Sequence, residues 1–162
     1  MENISVLIFF INQFILGGTY LSSGTPIFST YHVTVACSSY FEIAWLYVAQ
    51  SANETLTVSI YNSPGWTYVD DVSIIDTSTS QELISNGGFE NGTASWNGTA
   101  LAWISQTGGC RTGSWCYYDG SSISHSIVQT VSTTIGHTLS VSLYIQWTGT
   151  GTGVYNYITI NP

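Results

Sequence analysis

Four aromatic residues, Trp103, Trp115, Tyr117 and Tyr118, crowd around two cysteines, Cys110 and Cys116, and Asp119 follows directly. Indole and phenol faces stack on the apolar faces of pyranose rings, and a carboxylate beside them would accept a hydroxyl, so the cluster is a candidate sugar platform. The competing reading makes these tryptophans core or interface anchors. The cysteines enclose Arg111-Thr-Gly-Ser-Trp115, a segment that a disulfide would close into a small hairpin loop. Cys37 is then left over, as an intermolecular bridge in an oxidising compartment or as a buried thiol in a strand.

Catalysis finds little support. His32, His125 and His137 lie in strand or turn contexts with no Gly-x-Ser-x-Gly nucleophile motif and no metal-spaced histidine pair, and the cysteine spacing fits no zinc motif. Glu42 and Glu54 could be imagined as a glycosidase pair, but Glu54 lies inside a sequon and reads as a loop residue. The expectation is a protein that is not an enzyme.

Charge narrows the partners. Only 6% of the 162 residues are charged, there is no lysine, and Arg111 stands alone against nine carboxylates, for a net charge of -8. Such a chain has no electrostatic footprint for a phosphate backbone, which argues against nucleic acid. At 44% hydrophobic and 14% aromatic residues it should nevertheless pack a core, leaving a surface of Ser, Thr, Asn and Gly. A coat of that kind is sticky between copies unless glycans or assembly cover it. Sequons at Asn3, Asn53, Asn91 and Asn97 would accept N-linked glycans, which implies a secreted, extracellular protein.

The elements that must position these residues read as strands. Period-two alternation dominates, and no stretch has the pattern of an amphipathic helix. Residues 4 to 16, Ile-Ser-Val-Leu-Ile-Phe-Phe-Ile-Asn-Gln-Phe-Ile-Leu, are the most apolar run. Glu2 and the lack of a basic residue before the run are atypical of a signal peptide, and the run is short of the roughly 20 residues that span a bilayer. We read it as a long strand, with residues 1–30 as an N-terminal arm and linker. Strand signals follow at 31–37, 41–48, 56–60, 66–75, 123–131, 138–145 and 154–160. The 41–48 strand is apolar on both faces apart from Glu42, which suggests a place between layers or under an aromatic cover. Such a series of short strands separated by turn signals indicates an all-β, antiparallel β-sandwich over 31–162.

Two segments carry a family resemblance. Leu83-Ile-Ser-Asn-Gly-Gly-Phe-Glu90, followed by Trp96, resembles the first strand of galactose-binding-like jelly-roll modules, which include several carbohydrate-binding families; Tyr68-Val-Asp-Asp-Val-Ser-Ile74 resembles their last strand. Ser126-Ile-Val-Gln-Thr-Val131 and Leu139-Ser-Val-Ser-Leu143 are similar to strands between them. The resemblance implies a jelly roll made from a closing half, 31–76, and an opening half, 82–162. It also implies a structural calcium ion held by Glu90 with Asp71 or Asp70, the alternative being a solvated acidic pair. Calcium takes six to eight oxygens, so backbone carbonyls would have to complete the site. Asp70 and Asp71 should point to opposite faces of a strand, so only one of them should reach it.

In this chain the closing motif comes before the opening one. The halves can close on each other as a permuted module, close between successive chains, or be completed by the 4–16 strand inserted into a neighbour. The last two would join copies head to tail, and a head-to-tail contact that does not close into a ring grows a filament. The expectation is therefore a homopolymeric, glycosylated extracellular fibril built by strand complementation. The alternative is a soluble carbohydrate-binding module that uses the aromatic platform.

Overall fold

The computed structural model describes residues 28–30, 36–148 and 154–161, with side chains for 36–148 and 158–161. The 4–16 run, Asn3, His32 and most of the 31–37 strand signal lie outside these residues. Within them the chain forms β1 (Phe28–Thr30), β2 (Cys37–Val48), β3 (Asn53–Asn62), β4 (Thr67–Asp76), β5 (Gln81–Glu82), β6 (Asn97–Gly98), a short 3-10 turn (Leu101–Trp103), β7 (Ile104–Gln106), β8 (Trp115–Asp119), β9 (His125–Ser132), β10 (Thr138–Trp147) and β11 (Val154–Asn161).

These strands make two antiparallel sheets. One runs β1-β11-β3-β9-β6; the other runs β2-β10-β4-β8-β7, with β5 beside the end of β4. The alternating sequences of β3 and β10 explain the layering, because every second residue turns inward. Leu56, Val58 and Ile60 from β3 and Leu139, Val141, Leu143 and Ile145 from β10 are buried in a shared core. The result is an all-β sandwich.

The two halves interleave within one chain. β10 of the second half lies between β2 and β4 of the first, and β3 of the first half lies between β11 and β9 of the second. Among the described residues, the strands of the two halves pair with each other.

Several expectations change. Leu83 to Gly92 is not a strand: β5 ends at Glu82, and Asn86 and Phe89 sit at φ 58° and 59°, a left-handed backbone that a ladder does not accommodate. The segment hugs β4 instead. The Leu83 N–H donates to the Ile74 carbonyl at 2.8 Å, and the Val72 N–H donates to the Gly87 carbonyl at 3.0 Å. Phe89 and Trp96 then stack in the core with ring centroids 5.2 Å apart. Glu54 is not a loop residue; it is buried at the start of β3, where its carboxylate accepts from the Tyr47 hydroxyl at 3.0 Å and the Gln50 N–H at 2.6 Å. Glu42 is exposed on β2 of the opposite sheet. Nor does β2 lie between layers. Ile43, Trp45 and Tyr47 face the core, Leu46 is 39% exposed, and the only ladder to β2 among the described residues comes from β10.

The approach of 83–92 to β4 requires a residue without Cβ at Gly87, where an added Cβ would stand 1.9 Å from the Val72 carbonyl oxygen. Gly87→Ala must force the two segments apart, so urea unfolding should show a loss of about 1 to 3 kcal/mol. An unchanged unfolding midpoint would refute this packing.

Candidate functional site

The outer face of the second sheet gathers the chemically capable side chains. β7 and β8 form a hairpin whose connection, residues 107–114, folds back over the sheet and is closed by the Cys110–Cys116 disulfide, with Cα atoms 5.4 Å apart. The loop lies flat because Gly109 has no side chain: a Cβ there would come within 2.5 Å of the Tyr68 ring. The Gly109 carbonyl accepts from the Tyr40 hydroxyl at 2.9 Å and from the Gln146 side-chain amide at 3.1 Å.

Both aspartates hold this loop, contrary to the expected alternation. The β4–β10 register pairs Ser73 with Ser142 but Asp70 with Tyr144, so β4 carries one extra residue here, and Asp71 adopts φ 48°. This β-bulge turns neighbouring carboxylates toward the same loop. Buried Asp70 accepts the Arg111 N–H at 2.9 Å and the Thr112 N–H at 3.1 Å through Oδ2, and the Asp71 N–H at 2.8 Å through Oδ1. Asp71 pairs with the Arg111 guanidinium and accepts the Thr112 hydroxyl at 2.7 Å. The same guanidinium sits 3.5 Å over the Tyr144 ring centroid, a cation–π contact. Glu90 holds the far end of the loop, accepting the Ser114 and Trp115 N–H groups, each at 2.9 Å, through Oε1.

This donor set does not fit the expected calcium ion. Calcium needs converging oxygens, whereas here the carboxylate oxygens of Asp70 and Asp71 and Oε1 of Glu90 face N–H and O–H donors, and the cation present is Arg111. Among the described residues, no three His, Cys, Asp or Glu side chains form a metal-binding group.

An aromatic patch adjoins the loop. Tyr68 and Tyr118 are cross-strand partners on β4 and β8 and stack with centroids 5.8 Å apart. Trp66, 40% exposed, lies 5.4 Å from Tyr118 and 6.1 Å from Trp103, and Trp103 meets Tyr118 edge-on. The expected platform is therefore divided. Trp103 and Tyr118 belong to the patch, but Tyr117 and Asp119 are fully buried; Asp119 is held by His125 at 2.6 Å, and the Tyr117 hydroxyl donates to the His125 carbonyl. Trp115 packs against the core near Gly92. Trp66 and Tyr68 are not among the sequence candidates; their i, i+2 spacing, with Trp66 just before β4 and Tyr68 in it, is the signal that points to them.

Asn53, Asn91 and Asn97 are all exposed, and free Cys37 is half-buried at the start of β2. No helix among the described residues is long and apolar enough to cross a membrane. Comparison with known proteins gives no match to a family model, a curated protein or a solved structure.

Burial, the largest influence, pushes the Asp70 carboxyl up to about 6; the three backbone N–H groups pull it down, and the Asp71 charge adds to the rise. The unfolded chain releases this proton near pH 4. Folding therefore favours proton binding between about pH 4 and 6, and the stability contributed by Asp70 declines as pH rises through that window. The melting temperature of wild type minus that of Asp70→Asn should fall from about pH 4 to about pH 6.5; a difference that does not vary with pH would contradict the assignment.

Proposed function

We propose that this chain is a non-catalytic, secreted structural subunit that polymerises head to tail into a glycosylated extracellular fibril, one copy completing the next by β-strand addition. The observation that carries the reading is the open edge of β2, a twelve-residue strand with a ladder on one side only among the described residues. The same chain contains the thirteen-residue uncharged apolar run 4–16. Unpaired edges of this length are templates for another strand, and backbone hydrogen bonds with alternate side-chain contacts would hold it. Each large apolar residue buried in such a joint contributes roughly 1.5 to 3 kcal/mol before ordering costs.

The jelly-roll reading accords with the placement of the two family-like segments, since β4 and residues 83–92 lie side by side, as the last and first strands of a galactose-binding-like module would. Three exposed sequon asparagines on an almost uncharged surface accord with glycosylation and secretion. Negative-stain images and size-exclusion runs of the purified protein should show filaments, and deletion of residues 4–16 should abolish them. A protein that stays monomeric when concentrated would overturn the proposal.

One observation favours a second reading, a carbohydrate-binding module: the half-exposed Trp66, Tyr68, Trp103 and Tyr118 patch, whose ring faces suit stacking on sugars. Under that reading, titration calorimetry against a glycan panel should find heat that Trp66→Ala reduces at least tenfold in affinity. Absence of heat with every glycan would remove it.

A further inference from the structure

We infer that His125, fixed by the buried Asp119, is the hydrogen-bonding anchor of the aromatic patch, and that the ligand it serves is an uncharged glycan. The inference rests on the carbohydrate-binding reading, the second of the two above, and names the polar group and the ligand class that the ring faces alone leave open.

Ring faces supply stacking but little orientation, so a sugar site needs a few placed polar groups beside them. His125 stands where one is needed. Its ring centroid lies 6.0 Å from that of Trp103, with the planes tilted by 32°, and Trp103 in turn meets Trp66 and Tyr118. Asp119, the carboxylate expected at the platform, is fully buried and acts on this surface through that imidazole.

The imidazole is held from both layers of the sandwich. Asp119 ends β8 of the second sheet, and His125 begins β9 of the first. Oδ2 of Asp119 lies 2.6 Å from His125 Nδ1, Oδ1 accepts the Ser121 N–H at 2.6 Å, and the His125 carbonyl accepts the Tyr117 hydroxyl at 3.2 Å. A carboxylate at Nδ1 keeps the proton of the neutral ring there and leaves Nε2 as an acceptor. Nε2 itself has no partner among the described residues and, unlike the Trp45 indole N–H, is not sealed from solvent; the side chain is 15% exposed. For stability alone, a buried pair of this kind gains little over apolar residues of similar volume.

The fold contains a matched pair away from the patch. His137 Nδ1 lies 2.7 Å from Asp76, which is eight residues along β4 from Tyr68, roughly 26 Å.

The ligand class follows from the groups present. An acceptor at Nε2 calls for a hydroxyl donor and the Trp103 ring for an apolar C–H face, and a pyranose offers both. Acidic sugars find no counter-charge: there is no lysine, Arg111 is bound to Asp71 and Tyr144, and the chain carries a net -8.

The test uses the full chain. Titration calorimetry at neutral pH compares galacto-, gluco-, manno- and xylo-oligosaccharides with oligogalacturonate, while nitrogen-15 NMR follows the histidine ring nitrogens of the wild type. The expected result is heat with a neutral oligosaccharide and none with oligogalacturonate, and a shift at His125 Nε2 with His137 unmoved. Affinity should fall about tenfold in His125→Ala and stay unchanged in His137→Ala. The wild-type NMR readout decides the matter if His125→Ala folds poorly. A neutral sugar that binds, and that Trp66→Ala weakens, while His125 Nε2 stays unmoved would overturn the anchor and leave the platform standing. Oligogalacturonate binding as tightly as its neutral counterpart would overturn the ligand class. No heat with any sugar would defeat the carbohydrate reading itself, and the anchor with it.

Discussion

The backbone ladder on both sides of β10 is the constraint on which the rest of the structure depends. Without it the chain would be two half-sandwiches, each with apolar strands exposed, because β2 and β4 do not pair with each other. β10 supplies the shared partner, and its inward residues Leu139, Val141, Leu143 and Ile145 fill the space facing the other sheet. β3 plays the same part there, between β9 and β11. Each half thus lends its best-patterned strand to the other. The bulge against β10 at Asp71 also aims the acidic residues at the disulfide loop, so the loop's position follows from this ladder as well.

That loop shows how a chain with one strong cation solves an electrostatic problem. Asp70 is buried, which is unfavourable for a carboxylate, and three backbone N–H groups offset part of the cost. Asp71 beside it takes the arginine. The hairpin connection therefore serves as a lid whose backbone neutralises acids projecting from the sheet, with the disulfide keeping its ends together.

Strand patterning was legible wherever burial alternates along the strand. β3 and β10 repeat buried and half-buried residues nearly perfectly, so their inner faces could be read from the residues alone, although the 56–60 signal covers only the middle of β3 and the 138–145 signal stops short of the end of β10. The 83–92 segment misled because its apolar residues enter the core from a turn with left-handed backbone at Asn86 and Phe89, which leaves no period-two trace. Asp70 and Asp71 misled for a related reason: alternation predicts opposite faces, and a single inserted residue cancels that rule. The cysteine pairing was legible because six residues of separation suit a hairpin loop. Half of the aromatic patch was not, since Trp66 and Tyr68 become neighbours of Trp103 and Tyr118 only through the β4–β8 pairing.

The bond between Arg111 and Asp71 has a consequence for every encounter the protein makes. Arg111 is the only arginine, there is no lysine, and its guanidinium is already committed to a carboxylate and an aromatic ring of its own chain. At neutral pH, two copies approach as bodies of like charge, each carrying a net -8, with no lysine or arginine left to reward a chosen orientation. Selectivity between copies, or toward any ligand, must then come from shape and backbone register, which salt does little to screen.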